Sequence, residues 1–266
     1  MLLLSSVLSL SRLNQQCVDP RIPYMSGNEI VFCDQKGLST QIFDLRSGEI
    51  DQFKHPILWF DSKYVWFAGI DGGLVDREGH SPSHRPKHRV VYEPQGGPVF
   101  WEDESLVVVN GEVVWKKGNV GQRNKEANPK SWEHPLLNQC GAFWIDKHEQ
   151  IVWWKRDGTL KRSEPKDHPR SLVGGEEWVA WAEDDEIWLW NCEDGNQTSW
   201  NSRAIDRITF NQAVLCWSFW NGTDADIRCS NDFVLSLEGD QVWPSLGDDW
   251  LIFRDQQGVR GVELSK

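Results

Sequence analysis

The sequence predicts an all-β protein: a seven-bladed β-propeller of four-stranded blades, with a strand from the N-terminus completing the last blade, as a single domain over residues 1–266. Three observations carry this. A loop residue precedes apolar runs at Asp19, His55, His88, His134, His168, Asp206 and Asp240, with gaps of 36, 33, 46, 34, 38 and 34 residues. A turn signal falls in phase at Asp34, Asp71, Asn110, Asp157, Asp194, Asn231 and Asp255, several of these before glycine, as tight hairpins that need positive φ require. An apolar residue followed in most units by a polar one then closes the next strand, at Phe43, Val75, Trp115, Leu160, Trp200, Leu237 and Val262. The unit of about 37 residues is the size of a propeller blade.

Composition agrees. The chain has 17 Trp against 3 Tyr and 2 Met. Tryptophan suits pleated, half-buried surfaces, so most of these rings are expected to be packing. No helical periodicity appears, and Gly and Pro punctuate the chain throughout.

In chain order, the segment before the first unit, "VLSLSRLNQQCVDP", reads as an outer strand and its exit. In the second unit, "ILWFD" is the inner strand, "YVWFAG" the next, and "LVDRE" follows the turn. The third carries the longest interruption of the repeat, "KKGNVGQRNKEANPKSWEH", a basic insertion of the kind that serves either binding or tolerated variation. The fourth runs "GAFWID", "QIVWWK" and "TLKRS"; the fifth holds "EEWVAWAEDDE". The last, "GDQVWPSLGDDWLIFRDQQGVRGVELSK", supplies three strands and stops, leaving a place for the N-terminal strand that hides two exposed edges. The recurring His-Pro marks where the chain leaves an outer strand and returns toward the axis. Proline fixes φ and suits a strand start that needs no ladder donor, and His or Asp is expected to hydrogen-bond the turn backbone.

Seven units, an apolar-Asp pair ending the third strand (Phe43-Asp44, Val75-Asp76) and His in the following loop resemble WD40 repeats, and "GNEIVFCDQKGLSTQIFDLRSGE" is similar to the repeats of TolB-type propellers. The resemblance covers nearly the whole chain and implies a fold. Lys54, Lys87, Glu133 and Asp167 stand where WD40 repeats carry the glycine before His, so no residue role is carried over.

Charge narrows the partners. The net charge is −12, yet residues 1–170 hold 22 acidic and 22 basic side chains, while residues 171–266 hold 18 acidic and 6 basic. Nucleic acid and anionic membrane need a basic footprint and are excluded as partners. The acidic third permits a basic protein partner, with Trp178, Glu183, Asp184, Asp185, Glu186 and Trp200 as candidate contacts, the alternative being that the charge serves solubility. Six scattered cysteines without a C-x-x-C pair are expected as buried free thiols, hence a cytoplasmic protein. The N-terminus lacks the basic n-region and cleavage site of a signal peptide.

Chemistry is sparse. His55, His88, His134 and His168 fall at successive junctions, the channel-mouth level of a propeller, and converging imidazoles there can hold a metal. The four-His iron centre of the carotenoid oxygenases is a precedent, but this chain is far shorter and its histidines sit on adjacent junctions, so neither metal nor cofactor is expected. No P-loop, G-x-S-x-G, Rossmann or H-E-x-x-H pattern is present. The function expected is a non-catalytic protein-interaction scaffold, the alternative being an enzyme or a small-molecule or sugar binder at the channel mouth.

Overall fold

A computed structural model of the chain describes residues 7–9, 25–33, 40–53, 57–60, 64–67, 74–76, 99–101, 104–109, 112–117, 120–124, 135–164, 166–211 and 214–264. His55, His88 and His134 lie outside the described residues. The described residues contain strands and turns and no helix, and the strands form seven antiparallel sheets, six of four strands and one of three. No helix is long and apolar enough to cross a membrane among the described residues.

The chain divides into two compact units, one of residues 1–85 with 214–266 and the other of residues 86–213. In the first unit, Met25–Ser26, Glu29–Cys33, Thr40–Asp44 and Ile50–Phe53 form one sheet, and Ile57–Phe60, Tyr64–Phe67 and Leu74–Asp76 another. Val214–Trp220, Ala225–Cys229 and Val234–Leu235 run antiparallel. Val242–Leu246, Trp250–Asp255 and Gly258–Glu263 are the three strands expected of the last repeat, and Val7–Ser9 lies antiparallel to Gly258–Glu263, pairing Val7 with Val262 and Ser9 with Arg260. The N-terminal segment thus covers a strand whose ladder groups would otherwise be open.

The second unit repeats the pattern. Val99–Trp101, Glu104–Val109, Glu112–Lys117 and Val120–Asn124 make one sheet. Leu136–Asn138, Gly141–Ile145, Ile151–Lys155 and Leu160–Arg162 make the next, and Arg170–Gly174, Trp178–Ala182, Glu186–Asn191 and Gln197–Asn201 the third. Leu136–Asn138 follows the "HP" of its repeat, and Ile57–Phe60 follows "HP" at its own, so the dipeptide introduces a first strand as expected.

The described turn markers hold their turns with their side chains: Asp157 accepts from the backbone N–H of Thr159 (2.7 Å), Asp194 from Asn196 (2.8 Å), Asn231 from Phe233 (3.3 Å) and Asp255 from Gln257 (2.7 Å). Asp44, which ends the third strand of its repeat, accepts from Arg46 (2.8 Å) and Ser47 (2.7 Å), and Asp146 and Asn191, which the sequence did not mark as turns, do the same with His148 (2.8 Å) and Gln150 (3.1 Å), and with Glu193 (2.9 Å) and Asp194 (3.1 Å). This local competition with the backbone is why these residue types fall at strand ends. Gly141 shows the same economy in another form: at φ 133° it sits against the backbone carbonyl of Trp154, where a Cβ has no room.

Tryptophan is the main packing material. Trp115, Trp144 and Trp154 are buried in one cluster of the second unit, with Trp115 and Trp144 edge-on to Trp154 (centroids 5.5 and 6.4 Å). Phe143 stacks on Trp153, which meets Trp190 edge-on, between two neighbouring sheets. Burying a ring of this size removes roughly 150–250 Å² from water, which outweighs the ~1 kcal/mol of ring geometry.

The cysteines correct the free-thiol expectation. Cys140 is bonded to Cys192 and Cys216 to Cys229, and no free cysteine is found among the described residues. Cys216 and Cys229 are cross-strand partners with Cα atoms 4.0 Å apart; Cys140 and Cys192 sit in neighbouring sheets, Cα atoms 6.2 Å apart. Register and sheet adjacency set both pairs, and neither leaves a spacing motif in the sequence. Disulfides persist in oxidising surroundings, so the cytoplasmic expectation, which rested on free thiols, loses its basis.

Candidate functional site

The acidic stretch of the fifth repeat folds as a tight hairpin. Trp178–Ala182 runs in, Glu183 N–H donates to the Glu186 carbonyl (2.7 Å), and Glu186–Asn191 runs out. Asp184 and Asp185 occupy the tip. Glu186 pairs with Asn201 at the end of the outer strand Gln197–Asn201, which brings Ser202 and Arg203 to the same end. On the other side, the Asp184 N–H donates to the Asp167 carbonyl (3.1 Å), bringing in the loop before Arg170–Gly174.

These pieces border an open cavity of about 550 Å³ lined by Asp167, Glu183, Asp185, Glu186, Asn201, Ser202 and Arg203. Four carboxylates and one guanidinium face it. Around it the other polar groups are tied down. Trp181 Nε1 donates to Glu183 Oε1 (2.8 Å), and the Lys166 ammonium lies 3.5 Å from the same oxygen and over the rings of Trp181 and Trp188. Arg170 donates to Asp184 Oδ1 (3.3 Å) and to the Ala204 carbonyl (2.9 Å), so a cation already holds the tip residue Asp184 in place.

The structure unites two sets of candidates that the sequence leaves apart. His168, a candidate for the channel mouth, has Nδ1 3.0 Å from Asp184 Oδ2 and 3.2 Å from Asp167 Oδ1, beside the expected partner-binding residues Glu183, Asp185 and Glu186. Its ring therefore meets side-chain carboxylates, not the turn backbone, which corrects that expectation. The residue is held at φ 48°, a conformation for which His is among the tolerant residues. Asp167, His168 and Asp184 offer ligand atoms within 4.8 Å of one another and so could hold a metal ion, but Arg170 places a positive charge on Asp184.

Two expected contacts divide. Trp200 is half-buried next to Asn201 at the pocket end. Trp178 begins the strand that ends before Glu183, roughly 15 Å away along the chain at 3.3 Å per residue, so it does not belong to this patch. The aromatic residue bonded to the acidic cluster is Trp181, which lies within the 176–186 stretch where the sequence sets carboxylates around Trp178 and Trp181. The sequence did not single out Asp167, Asn201, Ser202 or Arg203 for this site. The hairpin at Asp194-Gly195 sets Trp190 against Gln197 and hence Glu186 against Asn201, a register the turn signal alone could have supplied.

No protein-family model matches this sequence, and no curated protein does. Solved structures match in fold. A catalytically inactive variant of virginiamycin B lyase from Staphylococcus aureus, solved with quinupristin, superposes with a TM-score of 0.59 at 13% identity over 98% of this chain and 99% of its own. A chain of the mitotic checkpoint complex gives 0.62 at 8% identity over 98% and 92%. The WD40 repeats of RRP9 give 0.58 at 9% identity over 90% and 91%. These neighbours include a lyase and a set of WD40 repeats, and what this chain shares with them is the β-propeller fold.

Proposed function

We propose that the chain is a single seven-bladed propeller, closed through the strand pair of Val7–Ser9 with Gly258–Glu263, and that it works as a non-catalytic protein-interaction scaffold. Its acidic pocket receives a lysine or arginine side chain from a basic partner. One observation carries the reading: Asp167, Glu183, Asp185 and Glu186 surround one open cavity with Arg203 as its single lining cation. Such a surface attracts cations, and the structured hairpin beneath it spares the side chains part of the ordering cost of binding. The likeness to a chain of the mitotic checkpoint complex supports a role in assembly. A small-molecule reading draws on the cavity volume, which falls in the range of ligand pockets, but such pockets are lined mostly by apolar groups and this one is not.

The test is fluorescence polarisation with labelled Lys- and Arg-rich peptides, comparing the native chain with the triple variant Asp167→Asn, Asp185→Asn, Glu186→Gln. Binding should weaken on the order of tenfold in the variant, from roughly 0.2–1 kcal/mol per exposed pair, and the difference should shrink as salt rises. Peptide binding that is indifferent to these three carboxylates overturns the proposal.

A further inference from the structure

Two triplets of the chain, "NQT" at Asn196 and "NGT" at Asn221, have the acceptor pattern of an N-linked glycan. The pattern has meaning only in a chain that matures in an oxidising lumen, and the disulfides Cys140–Cys192 and Cys216–Cys229 fit that setting. Both triplets lie at hairpin turns, and every residue of both is exposed. Exposure therefore does not separate them. The hydrogen bonds of the two amides do.

Glycan transfer uses one of the two amide hydrogens. Nδ2 displaces the pyrophosphate from C1 of a lipid-linked oligosaccharide: the Nδ2–C1 bond forms, the C1–O bond breaks, one Nδ2 proton is lost and the lipid pyrophosphate leaves. One N–H remains. Asn196 Nδ2 makes a single hydrogen bond, to Asp194 Oδ2 (2.6 Å), and a carboxylate only accepts, so the atom facing it is the nitrogen. The second hydrogen is free for transfer, and the first keeps its partner afterwards. Asn221 has no hydrogen to spare. Its Nδ2 donates to Asp224 Oδ1 (2.7 Å) and Asp226 Oδ2 (2.8 Å), while its Oδ1 accepts from the N–H of Thr223 (2.8 Å) and Asp224 (3.1 Å). This lock lies within one hairpin, and hairpins close in about 1–10 μs, so it forms as the segment emerges. Losing the bond to Asp226 is costly as well: that residue is 4% exposed and its Oδ1 has no donor, so a glycan on Asn221 threatens the only bond that satisfies a buried carboxylate.

We propose that Asn196 carries an N-linked glycan and that Asn221, despite its matching triplet, does not. The position suits a bulky polar group. Asn196 opens Gln197–Asn201, the outermost strand of its four-stranded sheet, four of whose five residues are exposed. A glycan at the start of that strand discourages another chain from pairing along it. Asn201, which lines the acidic pocket, is roughly 16 Å further along at 3.3 Å per residue, so the glycan leaves the pocket open.

The experiment secretes the full chain from cultured animal cells behind a cleavable leader placed ahead of Met1, so that the pairing of Val7–Ser9 is kept. Treatment with the amidase PNGase F should remove a single mobility step. The step should persist in Asn221→Gln and Thr198→Ser and vanish in Asn196→Gln. Thr198→Ala, which leaves the Asn196 side chain in place, should also abolish it and repeats the test should Asn196→Gln fail to fold. In protein taken from the cells that make it naturally, mass spectrometry after PNGase F should find Asn196 converted to Asp and Asn221 unchanged. An unmodified Asn196 from either source overturns the proposal, as does a glycan on Asn221 of the secreted chain.

Discussion

Glu193 and Glu177 show how a single pair of side chains can set a pH response. A hydrogen bond to the Glu177 carboxyl, reinforced by its charge, holds the Glu193 carboxyl above the usual range. A raised carboxyl is one whose protonated form the folded state prefers. The stability it contributes is present at low pH and is lost as pH rises through the raised titration, leaving two carboxylates in contact. Glu193→Gln should therefore leave Tm unchanged near pH 4 and raise it by pH 7, a difference read from melts across about pH 4–7. Asp44 has the opposite sign. The Ser47 N–H holds its carboxyl below the usual range despite some burial, so its contribution is present above that range and fades as pH falls through the lowered titration. The two residues differ in what meets the carboxyl, another acid or a backbone donor.

Between elements, the Cys140–Cys192 disulfide and one arginine do what strand ladders cannot, since a ladder holds only its own sheet. Cys140–Cys192 closes a separation of 52 residues between neighbouring sheets, whereas Cys216–Cys229 closes 13 residues within one hairpin. By loop entropy alone the first should contribute about 4 kcal/mol and the second about 3. Denaturant melts of the Cys→Ser pairs should then show the larger loss for Cys140/Cys192. The reverse order would mean that native-state packing around the buried Cys216–Cys229 pair, and not chain entropy, governs. Arg156 performs the same joining task by charge. It donates to the Asn138 carbonyl (2.8 Å) and to the buried Glu104 carboxylate, and lies over the Trp115 ring at 5.5 Å, linking two sheets of the second unit.

For the molecule as a whole, the pairing of Val7–Ser9 with Gly258–Glu263 matters more than three residues suggest. It unites the two ends of the chain in one sheet and covers strand groups that would otherwise invite another molecule. Removing residues 1–14 should cost about 1–3 kcal/mol, from three cross-strand pairs, and increase concentration-dependent association through the uncovered edge. Equilibrium unfolding and light scattering on the truncated chain check both effects. A truncated chain that melts like the full one and stays monomeric would show that the pair is incidental.

The sequence by itself determined the strands, their repeat and their turns, because each is a local matter. Asp157, Asp194, Asn231 and Asp255 hold turns with their own side chains within two residues, and the apolar runs after His-Pro at 55–56 and 134–135 begin the strands Ile57–Phe60 and Leu136–Asn138. That tryptophan is structural was legible for the same reason, since a pleated surface needs large apolar area. Partnership across distance was left to tertiary structure. Cys140 meets Cys192 and His168 meets Asp184 because sheet adjacency and hairpin register bring them together. The charge count located the acidic third, yet only the fold gathered Glu183, Asp185 and Glu186 with Asp167 into a hairpin pocket fitted with cations, because charge balance depends on which side chains fold onto one another.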